Sequence, residues 1–479
     1  MDHYAINELG ISGTILMERA GEAAFALLRK KWPQANDLTI VCGTGNNAGD
    51  GYVVARLAKQ AGCNVTVMQL GDSGKLAGDA LAAEQRLQGI DIVPVDFDRG
   101  VLLRSDVIID AIFGIGLSGS ITGEIYDVIK TINELKRPVM SLDIPSGLDS
   151  DNGMVHDIAI RADATITFIA HKRGMFHGEA MDYTGELVLE TLNTPVSVYD
   201  QQQAEIELIN YDLLKGLLKP RPKNSHKGQF GHVLIIGGEH GFIGAPRMAG
   251  EAAARIGAGL VTIGTRKAHA CLLGVVRPEL MAHGMEDEET FLRLSELASV
   301  VVIGPGMGQS EWGQQLLGYA IDSGHPLIVD ADALNLLANA PQKRHNWILT
   351  PHPGEAARLL GKSSQEVQQD RFAAARELQE NFGGIVILKG AGTLICGNDD
   401  PIYLCADGNP GMATGGMGDM LTGMIAGLIG QGIDALDAAN LAVCLHARAG
   451  DAAARAAGER GLLPSDLMSW IRRLANPGD

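Results

Sequence analysis

Short apolar runs alternate with amphipathic stretches along the front of the chain. The runs are rich in β-branched residues and cover 38–42, 64–70, 106–112 and 138–143. Stretches with helical spacing of apolar residues lie between them, such as 51–62 and 75–89. This alternation is typical of parallel strands joined by crossover helices. A second series of the same kind covers 231–236, 259–263, 299–303 and 326–330, with an Ala-rich helix at 246–257. The pattern therefore predicts an α/β protein with two domains.

The two series are separated by a polar segment. Residues 200–227 are rich in Gln, Lys and Pro and poor in apolar residues. Because the residue before a proline is disfavoured in helical geometry, we expect this segment to be an extended or looped connection. The predicted domains are therefore 1–205 and 206–479, and no internal repeat relates them.

Composition narrows the class of protein. The 479 residues include 39 Lys plus Arg against 57 Asp plus Glu, a formal charge of −18, which disfavours nucleic acid and anionic membranes as partners. The six cysteines form no C-x-x-C pair, so we expect buried free thiols without a disulfide or zinc. With no long apolar stretch, we expect a soluble, cytoplasmic protein that acts on small molecules. The glycine-rich α/β composition favours a homo-oligomer.

Oxygen-bearing side chains follow three predicted strands of the front domain, within 46–50, 110–117 and 142–149. The carboxyl ends of parallel strands converge on one crevice, so these loops are expected to face one ligand. Asn47, Asp110 and Ser146 supply oxygen ligands suited to a hard cation. With Asp110 engaged by the cation, Asp143 is the better candidate acid or base. A single Asp after a strand is more often a turn cap, but three such loops together favour a site. A dinucleotide dehydrogenase is a weaker alternative.

The N-N-x-G-D-G loop, the D-A-x-F-G-x-G-L strand end and the L-D-I-P-S-G-L-D stretch together resemble NAD(P)H-hydrate epimerase, a Rossmann-like family. This resemblance implies interconversion of the R and S forms of hydrated NADH or NADPH, with bound potassium held by Asn47, Asp110 and Ser146. The substrate-binding residues that it implies are Asn46, Asn47, Ala48, Gly49, Asp50, Gly114, Ile115, Gly116, Leu117, Ser118, Gly119, Ser120 and Asp143. Ala48 stands where the family usually has glycine.

The densest signal of the back domain is a glycine cluster at 411–423, which opens an apolar helix. Its N–H groups and the helix dipole suit a phosphate. Asp419 would repel that anion, so its expected role is as base for a hydroxyl that attacks a phosphoryl group. Lys389 to Thr393 fit either a nucleotide loop or a plain hairpin turn. Glu355 lies in a first helical turn, where a dipole partner is usual and a magnesium role stays open.

The motifs G-G-x-G-D, K-G-x-x-T and T-P-H-P-G-E-x-x-R-L resemble the ribokinase-like superfamily, and most closely its ADP-dependent NAD(P)H-hydrate dehydratase branch. The resemblance implies phosphorylation of the S hydrate by ADP with Mg²⁺, then loss of phosphate to restore the nicotinamide ring. The residues implied for the hydrate are Ala245, Gly308, His352 and Asp419. Those implied for the nucleotide are Lys389, Gly390, Ala391, Gly392, Thr393 and Gly418.

Two other functions stay open from the residues alone. One is a ribokinase-like small-molecule kinase, such as a vitamin-precursor kinase, with a front domain that only binds a nucleotide. The other is a nucleotide sensor without turnover. The glycine spacing does not distinguish ADP from ATP, and elimination rather than release of a phosphorylated product is implied only by the resemblance.

Overall fold

The computed structural model describes residues 1–117, 119–200 and 204–476. Contacts between Cα atoms divide the chain into two compact units, Met1–Ala204 and Glu205–Asp479. Each unit has its own sheet and its own hydrophobic core. Within the described ranges, no helix is both long and apolar enough to cross a membrane.

The front unit is built on one six-stranded sheet. Its strands are β1 (Asp37–Cys42), β2 (Asn64–Gln69), β3 (Val107–Ala111), β4 (Val139–Leu142), β5 (Ala164–Phe168) and β6 (Glu186–Glu190). Its helices are α1 (Asp2–Asn7), α2 (Gly13–Lys31), α3 (Asn46–Gln60), α4 (Gly78–Gln88), α5 (Arg99–Arg104), α6 (Gly123–Leu135) and α7 (Ser197–Asp200). The order β2-β1-β3-β4-β5-β6 is parallel throughout, which confirms the α/β prediction for this unit.

Helix α3 starts earlier than its sequence suggests. The prediction of a loop at 46–50 followed by a helix from 51 was wrong, because the helix already begins at Asn46. Its glycines allow close packing: a Cβ on Gly51 would lie 2.7 Å from Ala111 Cβ, and one on Gly49 would lie 2.4 Å from Met17 Cε. The low helix propensity of this segment is therefore overridden by packing against β3 and α2.

The back unit is built on a ten-stranded sheet. Its strands are β7 (Ile206–Ile209), β8 (His232–Ile236), β9 (Leu260–Thr265), β10 (Met281–Gly284), β11 (Val300–Ile303), β12 (Leu327–Val329), β13 (Trp347–Leu349), β14 (Ile385–Leu388), β15 (Thr393–Cys396) and β16 (Ile402–Cys405). Its helices are α8 (Tyr211–Leu214), α9 (Gly244–Ile256), α10 (Lys267–Val276), α11 (Glu288–Ser295), α12 (Glu311–Asp322), α13 (Asp332–Asn339), α14 (Pro353–Leu360), α15 (Ser364–Gln369), α16 (Arg371–Phe382), α17 (Met417–Gly430), α18 (Ala435–Ala457) and α19 (Pro464–Leu474).

The back sheet runs in the order β10-β9-β8-β11-β12-β13-β14-β15-β16-β7. It is parallel except where β15 lies antiparallel to β14 and to β16. The predicted loop at 200–227 was wrong in part, since 206–209 form strand β7 and 211–214 form α8. Strand β7 pairs with β16, which follows it by almost two hundred residues, so only the tertiary fold reveals it. Residues 201–203 of that segment lie outside the described ranges.

Candidate active sites

The ends of β3 and β4 are joined through Asp110. Its Oδ1 accepts a hydrogen bond of 2.5 Å from Ser146 Oγ, and its Oδ2 accepts from Ser146 N at 2.9 Å and from Ser141 Oγ at 2.7 Å. Burial raises the pKa of the Asp110 carboxyl, while the hydrogen bonds from Ser146 and Ser141 oppose that rise. The loops after these two strands therefore meet at a buried carboxyl, as the strand-end argument requires.

Asn47 joins this group from the first turn of α3. Its Nδ2 donates to the Phe113 carbonyl at 2.8 Å, and Ser146 Oγ lies 3.3 Å from the same carbonyl oxygen. Asn47 Oδ1 is buried and accepts no hydrogen bond within the described residues. An orphaned buried oxygen beside a carbonyl, a hydroxyl and a carboxylate is a donor set that fits a hard cation. The structure thus brings together all three of the predicted cation ligands.

Asp143 lies at the end of β4 in a left-handed conformation, with φ 64°. The Lys172 ammonium contacts its Oδ1, and both side chains are about 15% exposed. A Cβ on Gly114 would lie 3.7 Å from Asp143 Oδ2 and 3.5 Å from Asn47 Cβ. Gly114 therefore leaves open space between the predicted acid or base and the predicted cation ligand.

The other predicted front residues lie in helix α3 and in the loop after β3. Ala48 is fully buried and Gly49 packs on α2, so these two positions shape the helix and present no side chain to a ligand. Asp50 is half-buried, and desolvation followed by the charge of Asp143 raises the pKa of its carboxyl well above the usual value. The loop residues after β3 include the exposed side chain of Ile115, whereas Ser118 lies outside the described residues.

The centre of the back unit is an ion pair beneath the first turn of α17. Lys389 Nζ lies 2.8 Å from Asp330 Oδ1, and Asp330 also accepts hydrogen bonds from Thr350 Oγ1 at 2.7 Å and Thr422 Oγ1 at 2.9 Å. Burial alone would raise the pKa of Asp330, but Lys389 and the two hydroxyls outweigh it and lower the pKa. A Cβ on Gly418 would lie 3.1 Å from Lys389 Nζ, so this glycine permits the close approach.

Asp419 lies in the same helical turn as Gly418, and the pKa of its carboxyl is raised to near neutral pH. Burial and the charge of Asp330 raise its pKa to about 7, although Lys389 opposes the shift. A carboxylate with a pKa near 7 is well matched to general base catalysis. The helix N-terminus, preceded by Gly416 at φ 96°, directs free N–H groups to the same place.

His352 is the N-cap of α14 and not part of a free loop. Its Nδ1 accepts hydrogen bonds from the backbone of Gly354 and Glu355, and its Nε2 lies 3.3 Å from Glu355 Oε1. Glu355 Oε2 accepts from His352 N at 2.8 Å, which completes a capping box. Burial raises the pKa of Glu355 to about 7. Both oxygens of Glu355 thus contact His352, and the magnesium role left open by the sequence stays a prediction.

Lys389 to Thr393 form the turn between antiparallel strands β14 and β15, which is the hairpin of the alternative interpretation. The guanidinium of Arg371, from α16, donates to the carbonyls of Leu388, Lys389 and Gly392. Arg371 is 1% exposed, and burial lowers its pKa to about 10. Sequence reasoning missed this residue, and no local motif marks it.

Two further predicted hydrate residues of the back unit are Gly308, on the loop after β11, and Ala245, in the first turn of α9. Gly308 has φ 69°, and its N–H donates to Asp332 Oδ2 at 2.8 Å. Ala245 lies next to Gly306, where an added Cβ would lie 3.2 Å from the Ala245 Cβ. A cavity of about 430 Å³ adjoins Gly308 and is lined by Gln309, Asn335, Ala338, Asn339 and Arg358.

The backbone carries strain at this edge of the back sheet. Ala331, between Asp330 and Asp332, has φ 49° and ψ −119°, a conformation that residues other than glycine rarely adopt. In this conformation the two acidic residues that flank Ala331 contact different partners: Asp330 pairs with Lys389, and Asp332 accepts a hydrogen bond from Gly308 N. The sequence motifs assign neither carboxylate a role.

Comparison with known proteins covers both units. Residues 13–174 match the family described as YjeF-related protein N-terminus, and residues 233–473 match the NAD(P)H-hydrate dehydratase family. The chain is 46% identical over 470 residues to the bifunctional NAD(P)H-hydrate repair enzyme Nnr of Coxiella burnetii, covering 98% of this chain and 96% of that protein. It is 44% identical over 480 residues to the enzyme of the same name from Escherichia coli, covering 99% and 92%.

Solved structures resemble the back unit. The ADP/ATP-dependent NAD(P)H-hydrate dehydratase of Bacillus subtilis, co-crystallised with ATP/Mg²⁺, superimposes with a TM-score of 0.51 and 32% identity, covering 55% of this chain and 95% of that one. A ribokinase-like superfamily protein of Enterococcus faecalis gives a TM-score of 0.53 and 30% identity, covering 57% and 97%.

Two α/β units, the second of ribokinase-like fold, define a two-domain enzyme of nucleotide chemistry. The chain belongs to the family of bifunctional NAD(P)H-hydrate repair enzymes.

Proposed function

We propose that the front unit interconverts the R and S hydrates of NADH and NADPH, and that the back unit dehydrates the S form at the expense of ADP. The observation that carries the proposal is Asp419, a carboxyl with a pKa of about 7 at the N-terminus of α17. The names of the relatives and their coverage of both units support the pairing of the two reactions.

The back reaction follows from the placement of Asp419. As a carboxylate, Asp419 takes the proton of the hydrate hydroxyl, whose oxygen then attacks the terminal phosphoryl group of ADP and releases AMP. The N–H groups of the first turn of α17 stabilise the charge on the transferred group. Phosphate then leaves the phosphorylated carbon, and a proton is lost from the neighbouring ring carbon, which restores NADH or NADPH.

Other residues of the back unit are assigned to binding. We assign Ala245, Gly308 and the exposed ring face of His352 to the hydrate, because both ring nitrogens of His352 are already engaged. The turn of Lys389, Gly390, Ala391, Gly392 and Thr393, together with Gly418, is assigned to the nucleotide. Magnesium supplies charge neutralisation on the phosphates, and its use is supported by the Mg²⁺-bound relative from Bacillus subtilis.

In the front unit, Asp143 is the proposed acid or base, and Gly114 provides the space beside it. Asn47 Oδ1, Ser146 and Asp110 would hold potassium, since the orphaned oxygen and the oxygen-only donor set fit that ion. Bound there, potassium would supply positive charge to a substrate oxygen. This chain's own contribution is to place Asn47 and Asp143 beside Gly114.

The test uses a mixture of R and S NADH hydrates with purified full-length protein, KCl and MgCl₂, and follows the return of dihydronicotinamide absorbance. With ADP, complete recovery of both forms is expected. The Asp419→Asn variant is expected to lose recovery while the two forms still exchange. The Asp143→Asn variant is expected to recover only the S form. In each variant the intact unit serves as control for the altered one.

Three outcomes contradict the proposal, each at a different point. A stable phosphorylated product without recovered absorbance would show a kinase in place of a dehydratase. Full recovery by Asp143→Asn would remove Asp143 from the epimerase reaction. Equal exchange rates in KCl and in tetramethylammonium chloride would remove potassium from the front site.

A further inference from the structure

We infer that Lys172 is a positioning residue of the front reaction, which anchors one oxygen of Asp143 and leaves the other free for substrate. The inference rests on the proposed epimerase activity and adds a residue to which neither the sequence motifs nor the comparisons give a role. Lys172 lies in the loop after β5, beyond all three motifs of the front domain.

The hydrogen bonds of Asp143 are all on one side of its carboxylate. Lys172 Nζ contacts Oδ1, and the same oxygen accepts from Phe168 N at 3.3 Å and from Thr167 Oγ1 at 3.4 Å. Within the described residues, no hydrogen bond reaches Oδ2. That oxygen instead lies 3.7 Å from the position that a Cβ on Gly114 would occupy. The carboxylate is therefore held by one oxygen and presents the other to the open space.

Lys172 is itself held in place. Its ammonium donates to the Phe168 carbonyl at 2.9 Å, so the lysine spans from the end of β5 to the end of β4. The side chain is about 15% exposed, so water competes little with Asp143 and Phe168 for the ammonium. A charge-assisted contact of this kind is stronger and more directional than a neutral hydrogen bond.

Backbone strain occurs at both ends of this ion pair. Asp143 has φ 64°, and Ile169, next to the Phe168 anchor, also has φ 64°. Ile169 is β-branched and 4% exposed, so its left-handed conformation is costly and is kept only by its surroundings. Ile169 N donates to Glu190 O at 2.8 Å, and its carbonyl accepts from Tyr199 OH at 2.9 Å. Strain of this kind is concentrated at functional sites, which agrees with a fixed Asp143.

The charge balance of the pocket also requires the lysine. Asp50, in the second turn of α3, is a half-buried carboxyl close enough to Asp143 for their charges to interact, and the charge of Asp2 in α1 acts on Asp50 in the same direction. The charges of Asp143 and Asp2 raise the pKa of Asp50, and the charge of Lys172 lowers it. Without the ammonium, Asp143 would have two acidic neighbours and only weak neutral donors on Oδ1. The orientation of its carboxylate would then be less well defined.

The experiment compares Lys172→Met and Lys172→Arg in the full-length protein, with Lys31→Met as the matched control. Lys31 also pairs with a carboxylate of the front unit, since its Nζ lies 2.5 Å from Glu186 Oε2. This pair lies at the surface, where Glu186 is largely exposed. Initial rates of R to S exchange are measured over a range of hydrate concentrations. ADP-dependent dehydration of pure S hydrate is measured in the same samples as an internal control for the back unit.

For Lys172→Met we expect kcat for exchange to fall about 100-fold, the cost of a misplaced reacting group, with KM changing less than about threefold. Lys172→Arg is expected to restore at least a tenth of the lost rate, and Lys31→Met to behave as the unsubstituted protein. Dehydration of S hydrate is expected to be unchanged in every variant. If the methionine variant does not fold, Lys172→Gln is expected to show the same split between kcat and KM.

A double-mutant cycle provides the decisive comparison. If Lys172 acts through Asp143, Lys172→Met is expected to add no further loss in an Asp143→Asn background. Independent, multiplying losses would overturn the inference, as would a kcat for Lys172→Met within about threefold of the unsubstituted protein. Absence of exchange in the unsubstituted protein would overturn the proposed epimerase reaction itself. That failure is distinguished from a failure of the Lys172 inference because it is already seen without any substitution.

Discussion

The ammonium of Lys389 lies 2.8 Å from Oδ1 of Asp330, beneath the helical turn that carries Asp419. The pair links the hairpin after β14 to the end of β12, and through Thr422 to α17. Asp330 raises the pKa of Asp419 and Lys389 lowers it, so the pair sets the charge of the proposed base as well as its position.

The pH dependence of the back reaction follows from Asp419. Its pKa is raised to about 7 by burial and by Asp330, and a base must be ionised to accept a proton. We therefore expect the ADP-dependent rate to be low at pH 5.5, to increase through pH 7 and to level off above it. Asp419→Asn is expected to lose about 10²- to 10⁴-fold in kcat at pH 8, and to lose less at pH 5.5, where Asp419 of the unsubstituted protein is mostly protonated. A rate independent of pH between 5.5 and 8 would argue against Asp419 as the base.

The same raised pKa predicts a cost in stability. Above pH 7 the folded protein holds a half-buried, ionised Asp419, whereas below its unfolded pKa, about 3.9, the group is neutral in both states. The Asp419→Asn variant, always neutral, is expected to melt above the unsubstituted protein by a margin that grows from pH 5 to pH 8. Thermal melts of both proteins across that range measure the margin. A margin that shrinks with increasing pH would show that Asp419 is not the group with the raised pKa.

Removal of Lys389 is expected to destabilise the back unit strongly. Lys389→Met leaves the Asp330 carboxylate buried with only the hydroxyls of Thr350 and Thr422, and breaking one side of a buried pair costs about 3–5 kcal/mol. Urea unfolding measures the change. The control is Lys362→Met, whose surface partner is Glu377 and whose loss is expected to cost about 0–1 kcal/mol. Equal effects of the two substitutions would show that the Asp330 pair is not the stabilising feature.

Arg371 is expected to control affinity for the nucleotide. Arg371→Met removes the donors to three carbonyls of the 388–392 turn, so this turn should lose its fixed shape and KM for ADP should rise about tenfold or more. The matched control is Arg376→Met, on the same helix, where the guanidinium holds the turn of Gly397, Asn398 and Asp400. Steady-state kinetics with ADP varied distinguishes them. A similar rise in both variants would indicate general loosening of α16.

Gly114 is expected to matter for substrate and not for folding. In Gly114→Ala the new methyl would make ordinary contacts of 3.5 and 3.7 Å with Asn47 and Asp143, so the melting temperature should be nearly unchanged. It would occupy the space between these residues, so KM for the hydrate in exchange should rise. Gly274→Ala, where no atom lies within 4 Å of the added Cβ, is the control. An unchanged KM in Gly114→Ala would move the substrate away from this gap.

Much of both sites was predictable from sequence because it depends on local order along the chain. Parallel strands place their carboxyl ends on one edge, so Asp110 and Ser146 had to lie close together once both followed such strands. The glycine cluster before an apolar run likewise predicted the start of α17 and the place of Asp419. These inferences need only the period of apolar residues and the direction of the strands.

What the sequence left undecided depends on contacts between distant segments. Gly49 and Gly51 are poor helix formers, yet Gly49 packs on α2 and Gly51 packs on β3 within the first turns of α3. Strand β7 exists because β16 presents an open edge to it.

The sequence by itself determined the two α/β units, their glycine-rich loops and the family. Only the tertiary structure decided that Lys172 contacts Asp143 and that Arg371 holds the 388–392 turn. A long cationic side chain has many rotamers, and its partner is chosen by whichever carboxylate or carbonyl the fold places within reach. No local pattern in the sequence carries that information, so the residues that orient the sites appear only when the strands are assembled.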